Sequence, residues 1–143
     1  MTKRIYCNGV FDLCHMGHIN IFKNAATYGD VVVGIHSDEV VASYKRYPIQ
    51  TMEERVEAVK NMKWVSEVIP NAPLITDMEF MKVNNLDFIM ISAEYDSPTD
   101  HYYAEPRANG KIIVIDRYQH MSTSEIINRI KSRVDISKEG PDL

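Results

Sequence analysis

Four short runs of apolar, largely β-branched residues punctuate the chain: Arg4–Cys7, Asp30–Ile35, Asp87–Ile91 and Lys111–Ile115. They are nearly continuous in hydrophobicity rather than alternating, which is the pattern of parallel strands covered on both faces. Val65–Ile69 reads as a further short strand. Between the runs, apolar residues recur at helical spacing and predict helices over about 17–28, 51–63, 77–85, 98–108 and 122–133. Thr51 followed by Glu54 is a capping-box start, and Ser122, Thr123 and Ser124 offer hydroxyls at another helix entry. Strands alternating with helices predict an α/β fold with a doubly wound parallel sheet. Ligands of such sheets bind beyond the carboxyl ends of the strands.

Length and composition narrow this picture. At 143 residues the chain suits one domain, expected over 1–134, followed by a polar tail over 135–143 with Gly140 and Pro141. A net charge of −4 argues against general nucleic-acid binding, which leaves a basic footprint, so any phosphate site has to be basic locally. No targeting segment or long apolar span is visible, and two cysteines make no disulfide framework. A cytoplasmic protein without a membrane partner is expected.

The chemistry concentrates in one segment, Asn8-Gly9-Val10-Phe11-Asp12-Leu13-Cys14-His15-Met16-Gly17-His18. It joins the first strand to the first helix. The opening N–H groups of a helix lack intrahelical partners and lie at the positive end of its dipole, so such a turn receives anions. His15 and His18 stand there as imidazole donors, and Gly17 leaves the backbone open to close approach. Two plainer readings compete: histidines that only cap or solvate, and a zinc site from Cys7, Cys14, His15 and His18. The spacing disfavours zinc, because Cys7 falls within the strand.

This segment resembles the HxGH signature of nucleotidyltransferases in its cytidylyltransferase form. His36-Ser37-Asp38-Glu39, Lys45, Glu54-Arg55, Trp64 through Pro73, Arg117 and Ser122-Thr123-Ser124 follow in that family's order. The similarity spans roughly 3–134, and its central block is closest to phosphocholine and phosphoethanolamine cytidylyltransferases. It implies a Rossmann-like fold and Mg²⁺-dependent transfer of CMP from CTP to a small phosphorylated alcohol or phosphonate, with release of pyrophosphate.

By that resemblance, His15, His18, Lys45 and Arg117 are the expected catalytic residues. Gly9, Val10, Phe11, Gly17, His120, Ser122, Thr123 and Ser124 would hold the nucleotide. Asp12, Lys45, Arg55 and Tyr95 would meet the acceptor, with Asp12 orienting it or a phosphate-bound metal. No residue is assigned as a metal ligand. The stretch around Trp64 implies a homodimer, and the tail is too short for the membrane-binding helix of animal phosphocholine enzymes.

Three departures stand out: His120 where the family has glycine before its Ile-Ser-Thr, Leu74 where the phosphocholine enzymes carry an aromatic, and an altered acidic pair after Ile91. His120 is a candidate third imidazole for the phosphates. An adenylyltransferase of the same fold and a catalytically silent nucleotide-binding module remain the rival readings.

Overall fold

The computed structural model describes residues 2–141; Met1 and the last two residues of the expected tail lie outside them. Five parallel strands form one sheet in the order β3-β2-β1-β4-β5: β1 (Arg4–Gly9), β2 (Asp30–His36), β3 (Val65–Ala72), β4 (Phe88–Ser92) and β5 (Ile112–Ile115). This is the expected doubly wound, Rossmann-like architecture. Among the described residues six α-helices accompany it: α1 (Met16–Ala26), α2 (Asp38–Ala42), α3 (Met52–Lys60), α4 (Met78–Val83), α5 (Ala104–Ala108) and α6 (Thr123–Ser132).

Alternate strand residues feed two cores. Ile5, Cys7, Val31, Val33 and Ile35 pack with Phe22 and Ala25 of α1 and Val59 of α3. Tyr6, Val32, Ile89 and Ile91 face the other way, with Met81 of α4. The strand order reverses between β1 and β4, so the loops after those strands diverge and leave a crevice.

Several elements differ from the sequence-based expectation for identifiable reasons. The expected helix over 98–108 shrinks to Ala104–Ala108. The Asp100 carboxylate takes the N–H groups of Tyr102 and Tyr103, and that local turn competes with helix. β3 continues through Pro70 to Ala72, which a proline permits because β3 is an edge strand. α2 was not foreseen. Its five residues are too few for a periodic signal, and it starts from a cap in which Ser37 Oγ accepts the Val40 N–H. The expected tail includes a short 3-10 turn over Asp135–Ser137.

Candidate active site

A cleft of about 390 Å³ opens where β1, β4 and β5 end. Its floor is the turn from β1 into α1. There Phe11 and Leu13 adopt left-handed backbone angles, with φ of 54° and 48°. Such angles are uncommon for residues with a side chain and persist only when neighbours fix them. The neighbours are visible: Asp12 accepts the N–H groups of Ile49 and Gln50 at 2.8 and 2.9 Å, and Gln50 Oε1 accepts the Leu13 N–H at 2.9 Å. The turn and the 44–50 loop carrying Lys45 are thereby tied together.

At the entry of α1 the two histidines act on each other. His15 is the N-cap, and its Nδ1 accepts the Gly17 N–H at 3.0 Å. His18 Nδ1 accepts the His15 N–H at 3.2 Å, completing a capping box made of imidazoles. The ring centroids lie 4.0 Å apart, and His18 also meets the Phe11 ring at 5.4 Å. With each Nδ1 accepting, the neutral rings carry their protons on Nε2. Gly17 is required here sterically: a Cβ would fall 2.8 Å from His15 Cε1 and 3.1 Å from its Nδ1.

Burial disfavours the charged form of both rings. The His18 pKa is pushed down to about 3 by burial, with His15 and Lys45 adding to it, and burial also lowers His15. With Nδ1 of each ring taken up by a backbone N–H, both rings offer Nε2–H as the donor. Lys45 is likewise lowered, chiefly by burial and then by Arg46. The opening of α6 faces that of α1. Ser122 caps α6 by accepting the Glu125 N–H, and Thr123 Oγ1 lies 3.3 Å from His15 Nε2.

The profile of cytidylyltransferase-like proteins fits residues 6–132. The chain belongs to the cytidylyltransferase-like family. It is 35% identical to the ethanolamine-phosphate cytidylyltransferase of Mus musculus over 130 residues, which cover 89% of this chain and 32% of that protein. The choline-phosphate cytidylyltransferase of Saccharomyces cerevisiae is 34% identical over 89% of this chain and 31% of its own length. The chain thus spans about a third of these relatives. A solved lipopolysaccharide core biosynthesis protein from Thermoplasma volcanium GSS1 shares the fold, with a TM-score of 0.68 at 25% identity. That match covers 83% of this chain and 100% of the other.

Within this cytidylyltransferase-like site, Gly9, Val10, Phe11, Asp12, His15, Gly17, His18, Lys45, Tyr95, Arg117, Ser122, Thr123 and Ser124 all line the cleft. Arg117 is largely exposed and pairs with Glu94 at 3.2 Å. Two expected site residues lie elsewhere. Arg55 is fully buried behind the turn, donating to the carbonyls of Val10 at 2.7 Å and His36 at 2.9 Å and to Asp38 at 2.6 Å. Its guanidinium braces the site and does not line the acceptor cleft. His120 sits in a small adjoining depression with its ring edge-on to Tyr118, outside the main cleft. It does not join the other two imidazoles there.

Asp12 lines the cleft, and both its oxygens accept backbone N–H groups of the 44–50 loop. Cys7 and Cys14 are free thiols, the first buried and the second half-buried. Burial pushes Cys7 up to about 12 and Cys14 up to about 11, and no metal-holding cluster of His, Cys, Asp and Glu forms among the described residues.

Sequence reasoning missed a polar group beside the cleft. Tyr103 donates to Asn8 Oδ1 at 2.8 Å, Asn8 Nδ2 lies 3.4 Å from His36 Nε2, and His36 Nδ1 lies 3.2 Å from the Tyr44 hydroxyl. Burial pushes His36 down to about 4, and burial with neighbouring Tyr95 raises Tyr103. The available signal was Asn8, a polar residue ending an apolar strand.

Proposed function

We propose that this chain transfers CMP from CTP to a small phosphorylated alcohol, of the phosphoethanolamine or phosphocholine kind or a phosphonate, and releases pyrophosphate. The observation that carries this is the pair of adjoining, tilted imidazoles at the α1 entry, with both Nδ1 atoms occupied by backbone N–H groups. Each ring is then held to present Nε2–H to an anion. The names of the relatives, ethanolamine-phosphate and choline-phosphate cytidylyltransferase, point to the same reaction.

The acceptor's phosphate oxygen, already an anion, attacks the α-phosphorus of CTP. The new P–O bond forms as the bond from the α-phosphorus to the bridging oxygen breaks, and pyrophosphate departs with that electron pair. No strong base is needed; placement and charge compensation are. His15 and His18 donate to the triphosphate, the openings of α1 and α6 add N–H groups, and Lys45 and Arg117 supply fixed positive charge. Tyr95 and Tyr103 line the cleft, and aromatic side chains suit an ammonium group at the acceptor's alcohol end.

Mg²⁺ fits this arrangement as a companion of the triphosphate, which provides most of its oxygen ligands. Asp116 is the candidate protein ligand: it lines the cleft and has no hydrogen-bond or ion-pair partner among the described residues. The ion would offset charge building on the leaving pyrophosphate. No helix among the described residues is long and apolar enough to cross a membrane, in keeping with a cytoplasmic enzyme. β3, an unpaired sheet edge beside Trp64, is the surface for a homodimer.

Pyrophosphate release from CTP and from ATP, over a panel of phosphorylated alcohols, tests the reading. Turnover with CTP and one of the panel is expected. Preference for ATP would make the chain an adenylyltransferase, and tight CTP binding without turnover would make it a silent module. His18→Ala should lower kcat by about 10²-fold or more with the fold retained, as for loss of a transition-state donor. Unchanged turnover would remove the imidazole pair from the mechanism.

A further inference from the structure

Thr123 occupies a position that neither helix capping nor nucleotide binding explains by itself. Its hydroxyl donates to the Asp12 carbonyl at 3.1 Å, a bond across 111 residues of sequence, and lies 3.3 Å from His15 Nε2. A hydroxyl has one proton. With that proton directed at Asp12, the oxygen faces His15 as an acceptor. The other side of the ring agrees, since Nδ1 takes the Gly17 N–H and the imidazole proton must sit on Nε2. Donor and acceptor roles thus run in one consistent direction: Gly17 N–H to His15 Nδ1, His15 Nε2–H to Thr123 Oγ1, Thr123 Oγ1–H to the Asp12 carbonyl.

The rest of α6 gives this contact its importance. No residue of α6 is buried, and Ile130 is half exposed. The helix has little apolar anchorage, so a polar bond at its first residue weighs heavily in where that end sits.

We propose that Thr123 is a positioning residue that latches the opening of α6 to the His15 ring, and that an incoming phosphate oxygen replaces its hydroxyl as the acceptor of the His15 Nε2–H. The site rests on the cytidylyltransferase reading, whereas the latch involves only this chain's own groups. Binding the triphosphate then exchanges one acceptor for another on the same proton. The freed Thr123 hydroxyl and the first N–H groups of α6 are left beside the phosphates they would hold.

Imidazole ¹H–¹⁵N NMR on the free protein reads the latch directly. The His15 Nε2–H resonance should be observable and protected from solvent exchange in the wild type and in Thr123→Ser. It should exchange at least about 10-fold faster in Thr123→Val, which keeps the shape and loses the hydroxyl. Titration with inorganic triphosphate should shift that resonance while keeping it protected. In the pyrophosphate-release assay Thr123→Val should raise KM for CTP several-fold more than it lowers kcat, with Thr123→Ser restoring both. Equal exchange rates in the valine variant and the wild type would overturn the latch, whatever the activity shows. Protected exchange without CTP turnover would keep the latch and overturn the reaction instead. Thermal melts of all three proteins establish that they are folded when compared.

Discussion

At the residue scale, burial decides what the histidines are. His18 and His36 are held near pKa values of about 3 and about 4, against 6.5 for the free side chain, in both cases mainly by burial. The unfolded chain therefore takes up protons between those values that the native protein refuses. Native stability is at its full value above about pH 6.5 and falls as pH drops toward 4 and 3. The melting temperature should decline between pH 7 and pH 5, where few carboxylates titrate, and His36→Gln should flatten that decline. A flat profile in the wild type would mean the imidazoles are solvated. That His15 and His18 belong to one site was legible from their three-residue spacing beside Gly17. Their neutral state was not, since it depends on rings and backbone folded over them.

At the element scale, the binding turn is held by a brace that spans four segments. Arg55 on α3 joins the Val10 carbonyl after β1, the end of β2 at His36, and Asp38 of α2. Breaking a buried charged network on one side leaves the remaining polar groups unpartnered and typically costs about 3 kcal/mol or more. Arg55→Met should destabilise by about that amount in urea unfolding, and Arg55→Lys should recover only part of it because an ammonium lacks the planar fork. A loss below about 1 kcal/mol would show that the brace is dispensable. The sequence marked Arg55 through its place in the family's order and could not say which way it points. Direction here follows from α3 packing its Val59 face on the sheet, which turns the guanidinium inward behind the cleft. Asp12 follows the same logic, because only the folded 44–50 loop brings it the N–H groups of Ile49 and Gln50.

At the scale of the whole molecule, the reversal of strand order between β1 and β4 makes the crevice, and the segments that follow β1, β4 and β5 line it together with the loop that carries Lys45. The opposite edge, β3, carries unpaired backbone groups, and exposed edges of this kind are normally covered or blunted. Trp64 beside it packs partly into the core and has Lys23 and Lys63 at 5.6 Å from its ring. Sedimentation equilibrium should give twice the 16.4 kDa chain mass. A monomer at micromolar concentration would assign β3 and Trp64 to the fold alone.

The alternation of apolar runs with helical spacing determined the fold class by itself, because buried parallel strands and amphipathic helices each impose a local period on the chain. The HxGH segment likewise marked its own turn, since strand, glycine, histidines and helix are contiguous. What tertiary structure decided were relations between distant positions. It brought Thr123 to His15, turned Arg55 away from the cleft, set His120 to one side and gathered Asn8, His36, Tyr44 and Tyr103. Such groupings depend on strand order and helix packing, which bring together residues 108 positions apart in the case of Thr123 and His15 and leave no periodic trace in the sequence.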